Sequence, residues 1–382
     1  MRAPSSLSSV GLLVAAVAAG GCEGSVAGAV GAGGAGGASG TTSTTSTACL
    51  PNGSSCLSSR DCCSAACNAV CTTPSPVCPP DQGAVVLAST EWGGAGWIAV
   101  DEADVFWSRY SSNSQEGSVT KVSKLGGAPV ILASGLGSLS MLRLDATTAF
   151  FEESCAVGCG LGSVPKNGGA VAMLVPDQPN AFGLAVDDAN LFWVNSGDEG
   201  HAFTVLRAPK QGGAPTVLVT GFESCFDPDV ALDDGTVYWS DSYTLAPQGT
   251  RIMKVPKQGG SSVMLATAES GGTGARVAAD TERVYWADSS VPGTLSSMPK
   301  GDGPVTSLAT GLDLVSTIAL DSTAVYVAVF GLYTTGSIVR IPKQGGPPTV
   351  LAEDPQFPGG VAVDEGCVYW TNEVGQVLKA PK

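Results

Sequence analysis

Carboxylates at a regular spacing are the residues of this sequence that could most readily do chemistry. Seven aspartates recur 41 to 47 residues apart, each after an apolar triplet and shortly before an aromatic pair: Asp101, Asp145, Asp187, Asp233, Asp280, Asp321 and Asp364. Carboxylates can act as acids, bases or metal ligands. One reaction centre does not need seven copies of one position, and an aspartate at a strand end can hydrogen-bond the backbone of its own turn. We therefore predict an architectural role for these aspartates.

Other catalytic groups are scarce in the sequence. His201 is its single histidine, and a lone histidine in a long loop is more often incidental than catalytic. Patterns of the nucleophile elbow, the zinc proteases, the phosphate-binding loop and the dinucleotide-binding fold do not occur in a suitable context. The residue inventory therefore favours binding over catalysis.

Each repeat predicts four short strands, which must position any functional residue. In the first repeat we expect strands over 97–100, 105–109, 118–123 and 129–133. The first strand is apolar at consecutive positions, as in a strand buried on both faces. A Pro-Lys-x-Gly-Gly turn, as at 209–213, joins the third and fourth strands, and its glycines permit positive φ. A repeat of this length predicts an all-β fold, a seven-bladed β-propeller of four-stranded blades.

The two ends of the chain predict how the ring of blades closes. The last repeat ends at Lys382 without a fourth strand, whereas residues 80–88 resemble the turn and fourth strand of the other repeats. We therefore expect an N-terminal strand to complete the seventh blade and remove the open seam. In that arrangement Cys78 and Cys367 lie on the same face, so we predict a disulfide between them.

The aromatic pair of each repeat is expected to fill the space between neighbouring blades. Its second position holds Trp107, Trp193, Trp239, Trp286 and Trp370, with Phe151 and Val327 in the second and sixth repeats. A carbohydrate-binding platform is the alternative. Packing between blades is favoured, because the position recurs in every repeat.

Two of the repeats carry a motif of known propellers. Residues 237–241 (Val-Tyr-Trp-Ser-Asp) and 284–288 (Val-Tyr-Trp-Ala-Asp) resemble the Tyr-Trp-Thr-Asp motif, and the repeats over 83–382 resemble YWTD, NHL and related extracytoplasmic propellers. YWTD propellers usually have six blades, so seven is a departure. The resemblance implies ligand or protein binding on one propeller face and no defined chemistry.

The mouth of the central channel is where we predict a ligand site. Loops that follow the second and fourth strands meet there and carry acids, amides and arginines. The predicted binding residues are Arg109, Glu153, Asn195, Asp229, Asp241, Arg276, Asp288 and Asn372. The oxygen atoms of the acids and amides in this set could hold calcium, and no other cofactor is expected. A solvated loop face without a ligand is the simpler alternative.

Seven lysines lie in the turn that follows the third strand: Lys124, Lys166, Lys210, Lys257, Lys300, Lys343 and Lys382. We expect them to form a basic rim on the face opposite the predicted ligand site. Such a rim could meet anionic polymers or lipids. Solubility of the turns is the simpler explanation.

The N-terminal residues predict export. Residues 1–21 combine Arg2, a short apolar run and small residues, as in a signal peptide. Ala19-Gly20-Gly21-Cys22 resembles the lipobox of bacterial lipoproteins, although Ala19 stands where leucine is usual. The resemblance implies acylation of Cys22, which would make residues 22–48, rich in Gly, Ala, Ser and Thr, a flexible lipid-anchored linker. A secreted protein without a lipid is the alternative.

Residues 49–78 are predicted to be a small disulfide-rich module, held by covalent links because so short a segment has no room for a core. Its cysteines are Cys49, Cys56, Cys62, Cys63, Cys67 and Cys71. Their spacing resembles inhibitor-cystine-knot modules, which implies the pairs Cys49–Cys63, Cys56–Cys67 and Cys62–Cys71, although other pairings stay open. Zinc binding is the alternative, disfavoured because no histidine lies nearby. Further along, Cys155 and Cys159 could form a local bridge, for which Cys225 could compete.

Composition limits the classes of partner. Only 14% of residues are charged, and 51 glycines and 24 prolines suit a turn-rich β protein. A net charge of −15 repels nucleic-acid backbones, so no nucleic-acid partner is expected. We predict a monomeric lipoprotein of the cell envelope or outer-membrane surface, whose propeller (79–382) binds a protein, a glycan or another polar ligand. The alternative is a propeller hydrolase or lyase that uses Glu153, Asp241 and Asp288.

Overall fold

The computed structural model describes Cys78 and residues 83–90, 94–109, 116–154, 159–178, 181–195, 203–222, 228–243, 249–268, 274–301, 303–331 and 333–382. In this part of the chain the regular elements are β-strands, which form seven antiparallel four-stranded sheets. The fold predicted from the repeat, a seven-bladed β-propeller, is confirmed. The predicted signal peptide, Cys22, the linker and the cysteine-rich module up to residue 77 lie outside the described residues, as do Cys155, His201 and Cys225.

The strands of the first four blades follow one another along the chain. After β1 (Val85–Ser89), the first blade holds β2 (Ala95–Val100), β3 (Asp104–Arg109), β4 (Gly117–Ser123) and β5 (Val130–Leu136). The second holds β6 (Ser138–Leu144), β7 (Thr148–Ser154), β8 (Leu161–Pro165) and β9 (Ala172–Val175). The third holds β10 (Ala181–Val186), β11 (Asn190–Asn195), β12 (Phe203–Pro209) and β13 (Thr216–Phe222), and the fourth β14 (Val230–Leu232), β15 (Thr236–Tyr243), β16 (Gly249–Pro256) and β17 (Val263–Ala268).

The remaining three blades repeat this order. The fifth holds β18 (Ala275–Ala279), β19 (Arg283–Asp288), β20 (Gly293–Pro299) and β21 (Thr306–Leu312). The sixth holds β22 (Val315–Leu320), β23 (Ala324–Val329), β24 (Ser337–Pro342) and β25 (Thr349–Glu353), and the seventh β26 (Pro358–Val363), β27 (Cys367–Asn372) and β28 (Gln376–Pro381). The described residues contain no helix that is long and apolar enough to cross a membrane.

The seventh blade is completed by the N-terminal strand, as the chain ends predicted. Its strand order is β1-β28-β27-β26, and Val85 lies opposite Lys379. The predicted Cys78–Cys367 disulfide is present, with a Cα–Cα distance of 5.5 Å. Both cysteines are buried in the cluster between the seventh and first blades. The ring is therefore closed by backbone hydrogen bonds and by a covalent bond at the same seam.

The aromatic position fills the space between blades, as predicted. Trp107 lies in one cluster with Tyr369 and Ala362 of the seventh blade, and the equivalent residue of every other blade lies in a cluster formed with a neighbouring blade. All seven residues at this position are at most 2% exposed. Because a single sheet cannot cover its own faces, these contacts are the hydrophobic core of a propeller.

The seven repeat aspartates are architectural, as predicted. Oδ1 of each one accepts the backbone N–H groups two and three residues later, at 2.7–2.9 Å. This closes the tight turn between the first and second strands. The face of the propeller that carries these turns is called the lower face below.

The repeat lysines lie on the face opposite the predicted ligand site, as expected, but they form a ring of ion pairs with the repeat aspartates, so the prediction that this rim is basic is wrong. Nζ of each lysine lies 2.6–2.8 Å from Oδ2 of the aspartate in the preceding blade, and Lys124 of the first blade pairs with Asp364 of the seventh. Each ammonium also lies 5.2–5.8 Å from the centroid of an aromatic ring in that blade. Seven identical contacts therefore join each blade to the next, and the lysine charges are neutralised in place.

The ionisation of the ring aspartates follows from these contacts. Partial burial alone would raise the pKa of Asp280, but Lys343, two backbone N–H groups and the Tyr285 hydroxyl lower it from 3.8 to about 2. The pKa of Asp233 falls to about 2 in the same way. The tyrosine loses acidity in return, and burial together with Asp321 raises the pKa of Tyr326 to about 12. The aspartates are therefore ionised at any pH near neutrality.

We predict that the seam disulfide stabilises the closed ring without specifying the fold. The Cys78→Ala/Cys367→Ala double variant should lose about 2–4 kcal/mol of unfolding free energy, because the bridge joins positions 289 residues apart. Urea denaturation followed by tryptophan fluorescence measures the loss. The far-ultraviolet circular dichroism in native buffer should stay unchanged, since β1 remains bonded to β28. A variant as stable as the wild type would contradict the prediction.

We predict that the ring pairs couple neighbouring blades. A double-mutant cycle of Asp280→Asn and Lys343→Met should give a coupling of about 1 kcal/mol at pH 7, measured by urea denaturation. Because the pKa of Asp280 is about 2 in the fold against 3.8 as the ordinary value, this stabilisation is present above about pH 4 and is lost as the pH falls through about 2.

The Asp104–Lys121 pair of the first blade is the matched control for this cycle. Its N–O distance is 2.8 Å against 2.7 Å for Asp280–Lys343, but it lies within one hairpin and its lysine is more exposed. We expect it to couple less than half as strongly. Equal coupling for the two pairs, or none at Asp280–Lys343, would mean that the ring does not hold the blades together.

Candidate ligand site in the central channel

The first strands of the seven blades surround the channel. Each contacts the first strand of the next blade, and β26 of the seventh contacts β2 of the first. All of them start on the face opposite the aspartate turns, which is called the upper face below. A cavity of about 460 Å³ occupies the upper part of the channel, lined by the beginnings of these strands, by Glu152 on β7 and by Glu373.

The cavity lies at a position of the first strand that varies strongly between blades. Three residues before the repeat aspartate the side chain is always aliphatic and branched: Ile98, Leu142, Leu184, Val230, Val277, Ile318 and Val361. Four residues before it, the sequence is Trp97, Met141, Gly183, Asp229, Arg276, Thr317 and Gly360, and all of these except Asp229 line the cavity. The architecture is thus repeated and the channel surface is not.

One wall of the cavity is apolar and the opposite part is polar. Trp97, Leu139, Met141 and Phe182 come from the first three blades. Arg276, Ser316 and Thr317 come from the fifth and sixth. The two hydroxyls are used by the backbone of the seventh blade: Ser316 donates to Pro358 O at 2.8 Å, and Thr317 Oγ1 accepts the N–H of Val361 at 2.9 Å. Arg276 is therefore the polar side chain of this part that is available for a ligand.

Glu152 is the most unusual group of the site. It lines the cavity and is only 1% exposed. Its Oε2 accepts a hydrogen bond from the Ser140 hydroxyl at 2.9 Å, whereas Oε1 makes no well-formed hydrogen bond to the described residues. A carboxyl buried with so few partners costs free energy, so its presence at this position needs an explanation.

The protonation of Glu152 is set mainly by burial. Desolvation raises its pKa from 4.5 to about 8, against the smaller opposing effects of the Ser140 hydroxyl, the Arg143 charge and the backbone N–H of Leu184. The negative charge of Asp229 adds to the rise. The carboxyl is therefore mostly protonated at neutral pH. A strongly shifted acid in a cleft is typical of functional sites.

Trp97 is held in the channel by two arginines. The guanidinium carbon of Arg143 lies 5.7 Å from the indole centroid, and that of Arg276 lies 5.6 Å from it. The backbone N–H of Trp97 donates to the Ser108 hydroxyl at 3.1 Å. Cation–π contacts of this kind orient a half-buried ring. They leave the hydrogen-bond donors of the guanidiniums free for other partners.

Of the eight predicted binding residues, Arg276 is the one that lines the cavity. Asp229 lies next to it but uses its carboxylate on the backbone, where it accepts the N–H groups of Val230 and Val277 at 2.9 and 3.0 Å. Asp229 therefore ties the fourth blade to the fifth. Ligand binding by the eight residues stays a prediction.

The other six predicted residues lie near the upper face, where each has an internal partner. Glu153 accepts the N–H of Gly137 at 2.6 Å, and Asn195 donates to Gln178 at 3.2 Å. Asn372 is fully buried and donates to Asp354 at 3.0 Å. The remaining pairs are Arg109 with Glu116, Asp241 with Arg251, and Asp288 with the Ser290 hydroxyl. Glu153, Asp241 and Asp288, the acids that the alternative enzyme hypothesis uses, are thus all engaged by neighbouring groups.

Glu152 is not among the residues predicted from the sequence, although the repeat contains a signal for it. Glu152 directly follows the aromatic pair, where the other blades have Ser108, Val194, Ser240, Ala287, Ala328 and Thr371. Three of these residues carry a hydroxyl that accepts a backbone N–H group at the first strand of the same blade. The N–H groups belong to Trp97, Asp229 and Gly360. A charged residue at a position that is otherwise small and buried marks the second blade as different.

No group of three or more His, Cys, Asp or Glu side chains arranged to hold a metal ion occurs among the residues that the structure describes. The calcium site at the channel mouth therefore stays a prediction from sequence.

Comparison with known proteins supports the fold. The chain is similar to virginiamycin B lyase from Staphylococcus aureus, with a TM-score of 0.61 at 14% identity over 78% of this chain and 98% of the lyase. A catalytically inactive variant of that lyase with quinupristin gives 0.60 at 12% identity, over 76% and 97%. The computationally designed Ika8 protein gives 0.53 at 11% identity, over 78% and 99%. No family model and no curated protein matches the sequence. At these identities the likeness concerns the fold alone.

We predict that Glu152 destabilises the fold increasingly as the pH rises. Its pKa is about 8 in the fold against an ordinary 4.5, so the stability that its protonated form provides is complete below about pH 4.5 and is lost as the pH rises through about 8. The Glu152→Gln variant should therefore gain of the order of 2 kcal/mol over the wild type between pH 5 and pH 9, as measured by urea denaturation.

The neighbouring substitution Glu153→Gln is the control for this gain. It removes one negative charge from the same strand of a chain whose net charge is −15. Its stability difference from the wild type should change little over the same pH range. Parallel pH profiles for Glu152→Gln and the wild type would mean that the buried carboxyl is not protonated in the fold.

Proposed function

We propose that this protein is a non-catalytic binding protein of the cell envelope that holds a small ligand in the upper part of its channel. The observation that carries the proposal is the cavity of about 460 Å³, a volume in the range of small-molecule pockets. An apolar wall with a few polar groups is the usual composition of such a pocket. Closure of the ring by β1 and the disulfide favours a site that is formed before the ligand arrives.

The cellular setting is proposed from the sequence. A signal peptide over 1–21, acylation at Cys22 and the linker over 22–48 would tether the propeller to a membrane through lipid alone. The loops of the upper face would then be available to a protein or glycan partner around the channel mouth. The disulfide between Cys78 and Cys367 supports an oxidising compartment.

An enzymatic function is the second candidate, and Glu152 is the observation in its favour. A carboxyl with a pKa of about 8 in a cavity could act as a general acid or base, as a hydrolase or lyase requires. Acid catalysis usually needs a second group in a defined role, and the predicted acids Glu153, Asp241 and Asp288 are engaged elsewhere. Binding is therefore the favoured function.

The proposal is tested by filling the channel. Gly359 lines the cavity, and a Cβ atom placed there meets its nearest neighbours at an ordinary 3.5 Å, so Gly359→Leu should fold and occupy part of the volume. A small-molecule library is screened against the full chain by thermal shift and native mass spectrometry. Hits should bind the wild type and bind Gly359→Leu at least tenfold more weakly, and mass spectrometry should recover them unchanged.

Gly235→Leu is the matched control for this screen. Gly235 lies in a lower-face turn, and a Cβ atom there meets nothing within 4 Å. Its binding of the hits should equal that of the wild type. Hits that bind all three proteins equally would place binding outside the channel, and chemical conversion of a hit would favour the enzyme.

A further inference from the structure

The charges in the channel favour an anionic ligand. On the lower face every repeat lysine is neutralised by an aspartate, but Arg143 and Arg276 have no carboxylate partner among the described residues. Nη1 of Arg143 donates to the carbonyl of Leu142 at 3.1 Å. Nε of Arg276 is buried and makes no hydrogen bond in this part of the structure. Two cations thus stand at the channel of a chain whose net charge is −15.

The carboxylates around the cavity are less available to a ligand than the guanidinium of Arg276. Four ionisable groups surround Glu152. Arg143 on β6 and Asp229 before β14 act on its pKa, and Arg276 on β18 and Glu373 after β27 line the same cavity. Asp229 is bound to backbone N–H groups, and Glu373 lies at the loop rim of the cavity. Burial keeps Glu152 itself mostly protonated near neutral pH, so it presents a donor rather than a negative charge.

We propose that the channel cavity takes a small organic monoanion, a carboxylate on an apolar body, with Arg276 binding the carboxylate and the Glu152 carboxyl making a second hydrogen bond to it. This inference rests on the proposed function and specifies its ligand. The apolar body lies against Trp97, Leu139, Met141 and Phe182. A guanidinium and a neutral acid together match the acceptors of one carboxylate.

Other ligand charges fit this site less well. A cationic ligand would be repelled by the Arg276 guanidinium in the cavity wall, and pairing with Glu152 would require that buried carboxyl to ionise. A neutral ligand of the same shape has no charge to pair with the Arg276 guanidinium in the cavity wall, and hydrogen bonds between neutral and charged groups are weaker than those in which both partners are charged. The anion is the ligand that satisfies both groups at once.

Three probes with one skeleton test the charge preference on the full chain: 4-phenylbutyrate, 4-phenylbutyramide and 4-phenylbutylamine. Isothermal titration calorimetry at pH 6.5 should show the carboxylate binding at least tenfold more tightly than the amide, and no binding of the amine at about 10 mM. Gly359→Leu should abolish binding of the carboxylate, which places the probe in the channel.

The two polar side chains give separate readouts. Arg276→Gln should reduce the preference for the carboxylate over the amide to within about threefold, whereas Arg340→Gln, a control on β24 of the lower face, should keep it. In the wild type, carboxylate affinity should fall at least tenfold between pH 6.5 and 9.5, because ionised Glu152 repels the probe. Glu152→Gln should show less than a threefold change over that range.

The outcomes separate this inference from the proposed function. If the amide or the amine binds at least as tightly as the carboxylate, and Gly359→Leu blocks it, the channel is a binding site but not one for an anion. If the carboxylate preference survives in Arg276→Gln and the pH dependence survives in Glu152→Gln, the assigned residues are wrong. If none of the three probes binds, the anion site is contradicted, while hits from the library would still support a channel ligand.

Discussion

The contact on which the rest of this structure depends is the pairing of each repeat lysine with the aspartate of the preceding blade. One aspartate uses Oδ1 to close its own turn and Oδ2 to bind the next blade, so the same residue fixes the local hairpin and the relation between sheets. An ammonium over the aromatic ring of that blade adds a third contact at the same point. Individually such ion pairs are weak, but seven in a closed ring act together.

The two faces of the propeller therefore differ: the lower face carries the repeated contacts between blades, and the upper face carries the residues that could give ligand specificity. On the lower face the repeat lysines and aspartates pair with one another, and these pairs recur from blade to blade. On the upper face the repeat is broken at the fourth residue before the aspartate and at the residue after the aromatic pair. Trp97, Glu152 and Arg276 all occupy such positions, and all three line the cavity. A ligand site in this protein is therefore built from departures from its own repeat.

The fold could be predicted almost completely from the sequence, because its signals are local and are repeated. The apolar triplet, the aspartate turn and the glycine pair predicted where the strands lie. The incomplete last repeat predicted where the ring closes and that Cys78 and Cys367 meet there. The lysines were misjudged for the opposite reason. Their partners lie 61 to 70 residues away, or 240 at the seam, and no local pattern in the sequence reveals a contact between blades.

The candidate site followed from sequence only in part. The sequence by itself determined the number of blades, the strand order and the closure, because these depend on periodicity and on hydrogen bonding within each repeat. Only the tertiary structure decided which variable residues meet. Arg276 enters the cavity while Asp229 and Asn372 turn to partners inside the blades, and Glu152 becomes a buried acid. That outcome depends on desolvation and on contacts between distant blades, which exist only once the ring has closed.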